Sequence, residues 1–230
     1  MRISSLAKIW CAAAAAIIMT GATARAENGS EGWLRYAPLS KAAQQRYASV
    51  PARIAGLDNS AMGQSAVAEL KRGLGSMLGH DITADTTIGG DAFVVGTVDE
   101  LKAALPAWHV PAAIGDEGFA IAQVRSGGHN YWVIAAKDGH GELYGVFHVL
   151  ERVATEKPLI ADTEAPSAPI RWTDEWDNFN GTIERGWAGP SIFFENNRVR
   201  ADLSRVGAYG RLLASIGING VAINNVNANP

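Results

Sequence analysis

Residues 202–223 read as a helix followed at once by a strand, and neither can stay in water. From Asp202 to Ile216 the apolar residues Val206, Tyr209, Leu212, Leu213 and Ile216 recur at helical spacing, and Gly217 ends the run. Gly220 to Ile223 (GVAI) then shows no polar alternation. That is the pattern of a strand buried on both faces, as in a parallel sheet or barrel. One helix and one such strand cannot bury themselves, so this segment is expected to open a second domain that is cut short at Pro230.

The preceding residues predict a domain of their own. Ser60 can cap a helix with Met62, Ala66, Val67, Leu70, Leu74 and Met77 on one face, and Gly79 can stop it. Ala92 to Gly96 reads as a short buried strand. Thr97 with Glu100 forms a capping box that opens a helix over Val98–Leu105, ended by Pro106. Gly118–Val124 and Tyr131–Ala136 read as strands joined by a turn at Gly127-Gly128. A second long helix follows, with Leu143, Val146, Phe147, Leu150 and Val153 on one face. Glu31 to Leu39 is expected to start the fold as an extended segment. Together these elements predict an α+β domain, a small mixed sheet with two long helices packed against it. Pro158, Pro166 and Pro169 mark residues 157–169 as a linker.

The first 26 residues are expected to stand apart. Arg2 and Lys8 precede an apolar run from Ile9 to Met19, and Ala24-Arg25-Ala26 supplies a small-x-small cleavage pattern. The run is too short to span a bilayer. An export signal cleaved after Ala26 would place the protein in the periplasm or outside the cell, with no membrane association thereafter. Cys11, the one cysteine, would leave with the signal, so no disulfide or thiol chemistry is expected. Arg2, Lys8 and Arg25 would leave too, taking the formal charge to roughly −6, which argues against nucleic acid as a partner. The five histidines, at 80, 109, 129, 140 and 148, show no metal-ligand spacing, so neither metal nor cofactor is expected.

Chemistry concentrates in two stretches. RWTDEWDNFNGTIERGWAGPSIFF begins at Arg171, and Asn224, Asn225 and Asn227 flank Val226 after the GVAI strand. Aromatic faces beside amides and carboxylates suit a sugar, whose C–H face stacks and whose hydroxyl rim pairs with polar groups. Glu184-Arg185 reads as an ion pair orienting a loop sooner than as a catalytic couple.

WLRYAPL from Trp33, FVVGT from Phe93, GELYGVFHVLERV from Gly141, WDNFNGTIERGWAGPSIFF from Trp176 and RLLASIGINGVAINNVNANP to the last residue carry a resemblance. Together they resemble the α-glucuronidases of glycoside hydrolase family 67. These enzymes remove (4-O-methyl)glucuronic acid from xylo-oligosaccharides. The resemblance implies a hexosaminidase-N-domain-like α+β domain over residues 27–156. Residues 170–230 would be the start of a (β/α)8 catalytic barrel. It also implies hydrolysis of the α-1,2 bond by inversion, with one carboxylic acid and carboxylate bases on later barrel strands. No residue of this chain is therefore expected to be the acid or the base.

What carries over is part of the sugar pocket. By resemblance Trp176 belongs to the hydrophobic sheath around the uronic acid and Val226 lies near the 4-O-methyl group. Asn178, Glu184, Arg185, Asn225 and Asn227 share their motifs. Glucuronic-acid-substituted xylo-oligosaccharides would be the partner, and the family's members can dimerise. Asp174-Glu175 departs from the resemblance, being more acidic than expected beside a uronate. Glu175 is expected to point outward or pair with Arg171 or Arg185. The competing reading is a non-catalytic carbohydrate-binding or docking module.

Overall fold

The computed structural model describes residues 29–110 and 114–225. The expected export signal, Val226 and Asn227 lie outside the described residues. Six segments hydrogen-bond into one sheet: β1 (Arg53–Gly56), β2 (Thr83–Asp85), β3 (Ala92–Thr97), β4 (Phe119–Ser126), β5 (His129–Ala136) and β6 (Asp162–Glu164). Their spatial order is β2-β1-β3-β5-β4-β6. The first four in that order run parallel, whereas β4 runs antiparallel to β5 and β6. Gly127 and Gly128, both at positive φ, close the β4–β5 hairpin, where a two-residue turn needs left-handed backbone at both central positions.

Both sheet faces are covered, and this explains why β3 has no polar alternation. Phe93 and Val95 join a core with Ile54, Leu70, Leu74, Ile134, Phe147 and Leu150. Ala92 and Val94 point the other way, to Leu101, Leu105, Trp108 and Val133. The first face is covered by α2 (Ala61–Leu78) and α4 (Gly139–Ala154), the second by the short α3 (Val98–Ala104); α1 (Lys41–Arg46) precedes β1. Each of these four helices has a side-chain cap. Ser60 Oγ accepts from Gly63 N–H at 3.1 Å, and Asp138 Oδ1 accepts from Gly141 N–H at 3.0 Å. Ser40 caps α1, and Thr97 with Glu100 closes the capping box on α3. Gly79, at φ 72°, ends α2 with its N–H on Gly75 O.

One glycine is required for packing. A Cβ on residue 141 would overlap the backbone carbonyl oxygen of Gly118, which no side-chain rotation can relieve. Gly141→Ala is therefore expected to destabilise the protein by about 3 kcal/mol, the upper part of the overpacking range. A urea unfolding midpoint equal to that of the parent would contradict this.

The chain then forms β7 (Trp172–Glu175), a small ribbon of β8 (Phe194–Glu195) with β9 (Arg198–Val199), α5 (Ser204–Ala214) and β10 (Gly220–Ile223). β10 lies parallel to β7, in register from Gly220 opposite Trp172 to Ile223 opposite Glu175. This is a β-α-β unit with α5 as its crossover. α5 also rests on the first sheet's helices. Arg211 donates to buried Glu69 of α2 through Nε at 2.9 Å and Nη2 at 2.6 Å, and Trp33 Nε1 donates to Ser215 Oγ at 3.1 Å. Among the described residues no helix is long and apolar enough to cross a membrane.

Three expectations are corrected. Residues 31–39 are not extended: Gly32–Arg35 is a 3-10 helix, and Tyr36 follows at φ 48°. Leu34 and Tyr36 are buried and Trp33 packs edge-on to Tyr36 and Phe147, so all three side chains must face one core, which an alternating strand forbids. The stretch 157–169 contains β6, which pairs with β4 because Asp162–Glu164 falls between Pro158 and Pro166 and keeps every backbone N–H for that edge. β10 is only half-buried, because its sheet has two strands among the described residues.

Candidate functional site at the ends of two parallel strands

Parallel pairing brings the carboxyl ends of β7 and β10 to one edge. Trp176 leaves β7 there and Asn224 leaves β10, with Asn224 N–H donating to Glu175 O at 2.7 Å. The Trp176 ring is 47% exposed, a large apolar face left open to solvent. Asp174 joins the two strand ends. Its Oδ2 accepts from Trp176 Nε1 at 3.3 Å and its Oδ1 accepts from the Asn224 amide. An acidic group beside a uronate site would repel the ligand if it pointed inward alone. Here both oxygens are occupied by donors that orient the indole and the amide.

Glu175 faces the other way, its carboxylate accepting from Tyr209 O–H of α5. Of the two alternatives expected for Glu175 it takes the turn away from the open face and not the pairing with an arginine, and Arg171 is bound instead to Glu117 and to the Tyr144 hydroxyl oxygen at 3.2 Å. Strand alternation explains both outcomes. Trp172 and Asp174 share the open face, while Thr173 and Glu175 share the face toward α5.

The loop after Trp176 is held from inside. Asn178 is 1% exposed, and its amide donates to Thr182 Oγ1 at 2.9 Å and to Glu184 O at 2.6 Å. These two bonds brace the loop. Glu184 sits at φ 54° with its N–H on Trp176 O at 2.7 Å, so this loop residue fixes the backbone beneath the indole. Arg185 is exposed, beside the exposed Trp187. Asn225 is exposed at the edge next to Asn224. Trp176, Asn225 and the Glu184-Arg185 loop thus belong to one rim, with Asn178 beneath it.

The sequence reading names Asp174 and Asn224 without joining them, and does not single out Asp177. Asp177 is buried, and burial pushes its carboxyl above the usual range. The period-two pattern of β7 was the available signal for Asp174; nothing local marked Asp177.

The family model for the glycosyl hydrolase family 67 N-terminus matches residues 32–149, and that for the family 67 middle domain matches residues 152–230. A probable alpha-glucuronidase A of Aspergillus oryzae is 39% identical over 209 residues, covering 89% of this chain and 24% of that protein. An alpha-glucuronidase of Hypocrea jecorina is 39% identical over 218 residues, covering 88% and 25%. The chain spans about a quarter of the length of the curated relatives it matches. A solved family GH115 4-O-methyl-α-glucuronidase, with specificity for decorated arabinogalactans, superposes with a TM-score of 0.54 at 18% identity. That match covers 75% of this chain and 25% of that one, and it speaks to fold alone. An α+β domain followed by a second, βα-containing segment, matched in this order, defines part of a glycoside hydrolase. The chain belongs to glycosyl hydrolase family 67.

Proposed function

We propose that this chain is the amino-terminal part of an exported α-glucuronidase of hemicellulose breakdown. Its substrate class is xylo-oligosaccharides bearing α-1,2-linked (4-O-methyl)glucuronic acid, hydrolysed with inversion. Family membership and the relatives named alpha-glucuronidases support the activity; the charge pattern of residues 1–26 supports export. β7, α5 and β10 are the opening of the barrel, and the edge holding Trp176 is one wall of the uronic-acid pocket. The carrying observation is the half-exposed indole fixed by Asp174 at the carboxyl end of a parallel strand, where barrel sites are built. The residues covered here supply binding surface, and proton transfer falls to carboxylates on later strands.

Two outcomes test this reading. The 230-residue chain alone is expected to release no methylglucuronic acid from aldouronic acids, and measurable turnover would overturn the division of labour. In a family-length enzyme carrying this segment, Trp176→Ala is expected to lower kcat/KM about tenfold, the loss of one stacking contact. Unchanged kinetics would remove Trp176 from the pocket.

A further inference from the structure

A second cluster lies between α4 and the edge strand β6 of the first sheet. His148 projects from α4 between the core residues Phe147 and Val149, and its ring is held against Phe119, centroids 5.3 Å apart. Facing it are two carboxylates of the edge strand β6. Asp162 Oδ2 lies 3.3 Å from His148 Nε2, and Glu164 Oε1 lies 3.7 Å from Nδ1. One donor atom from each of the three residues can be chosen so that all lie within 4.8 Å of one another. His148 Nε2 is itself buried and, despite the nearby carboxylate, lacks the alignment of a hydrogen bond with any group. A buried ring nitrogen without such a partner is costly unless something accepts its lone pair or proton. A cavity of about 410 Å3, lined in part by His148, Glu164, Phe119 and Tyr144, opens beside it and gives a path from solvent.

We propose that His148, Asp162 and Glu164 form a divalent-cation site of the zinc class, tying helix α4 to strand β6. One neutral imidazole nitrogen and two carboxylates make a borderline donor set that suits Zn2+ better than Mg2+, which takes oxygen ligands and keeps its waters. The nitrogen-to-oxygen separation across His148 and Asp162 matches what two ~2.1 Å bonds at a tetrahedral angle require, ~3.4 Å. Water entering through the cavity completes the coordination. The ion's place is structural: it pins the sheet's last strand just before the chain crosses to β7, and it removes the repulsion between Asp162 and Glu164. Sequence spacing does not reveal the site, because its ligands come from a helix and from a strand inside the segment expected to be linker.

The test is calorimetric titration of the chelator-treated full chain with ZnCl2 and, separately, MgCl2 at neutral pH. One equivalent of Zn2+ is expected to bind and to raise the melting temperature, with Mg2+ at least tenfold weaker. Asp162→Asn with Glu164→Gln, both on an exposed strand edge, is expected to weaken Zn2+ at least tenfold while far-UV circular dichroism stays unchanged. Undiminished binding by the double variant places the metal elsewhere and overturns the assignment. So does the absence of binding, which leaves only the contact between the ring and the two carboxylates, or a preference for Mg2+. None of these readouts depends on hydrolysis, so the outcome is separable from that of the proposed activity.

Discussion

Glu69→Gln is expected to cost about 3 kcal/mol of stability, near the lower end for breaking a buried ion pair. Glu69 is 3% exposed, in the middle of α2, and Tyr36, Arg211 and Arg72 converge on it. Tyr36 O–H donates at 2.5 Å, and the Arg211 guanidinium forks onto both oxygens at 2.9 and 2.6 Å. Burial, reinforced by the hydrogen bond to Glu69, pushes the Tyr36 hydroxyl far up, so it remains a donor at any physiological pH. The hydrogen bonds to Glu69 raise Arg211 in the same sense. Removing the carboxylate charge leaves a mostly buried guanidinium without its counter-charge, which is the expensive half of such a change. Because Tyr36 lies in the amino-terminal segment and Arg211 on α5, the network joins the first sheet's helices to the β-α-β unit. A double-mutant cycle with Arg211→Met should give a coupling of ~2 kcal/mol or more in urea unfolding. Additive single effects would show that the contact contributes nothing.

Glu142→Gln should act in the opposite direction, and only at higher pH. Glu142 sits in the first turn of α4 with no exposed surface, and neither oxygen has a hydrogen-bond partner. Desolvation first, then the nearby charges of Asp58, Glu100 and Asp138, push its pKa up from 4.5 to about 8. The folded protein therefore holds a proton that the unfolded chain has released. Stability from this group is complete below the unfolded value and falls as pH rises, until the loss is complete above the folded value. The shift corresponds to on the order of 4 kcal/mol between pH 4.5 and pH 8. Glutamine does not titrate, so the variant should match the parent near pH 4 and exceed it by a few kcal/mol at pH 8. Urea midpoints measured across that range decide it. Parallel pH–stability curves for parent and variant would mean that Glu142 ionises in place.

Where an element is defined by its own residues, the sequence reading located it closely. Ser60 and Gly79 bracket α2, and Thr97 with Glu100 opens α3. The glycine pair at 127–128 turns the β4–β5 hairpin. In each case the cue is a cap or turn whose hydrogen bonds close within a few residues. The elements that went unread depend on distant partners. β1 is four residues long and β2 and β6 three each, too short for a periodic signal, and they exist because a neighbouring strand offers its edge. The segment 31–39 failed for a related reason, since its conformation follows from where three aromatic and apolar side chains find their core.

The candidate edge divides in the same way. Trp176 and the asparagines were visible as residue types in long, specific motifs. The roles of Asp174, Glu175 and Asn178 depend on which side of β7 each occupies and how the loop folds back. That edge is thus split between two levels. Residue chemistry dictated the caps, the turns, the alternation of β7 and the kinship with family 67. Contacts between separate segments dictated that Asp174 reaches Asn224, that Arg211 reaches Glu69, and that His148 meets two carboxylates of β6. A hydrogen bond closing within four residues is written into local composition, whereas one closing across a hundred exists only once the core has brought its ends together.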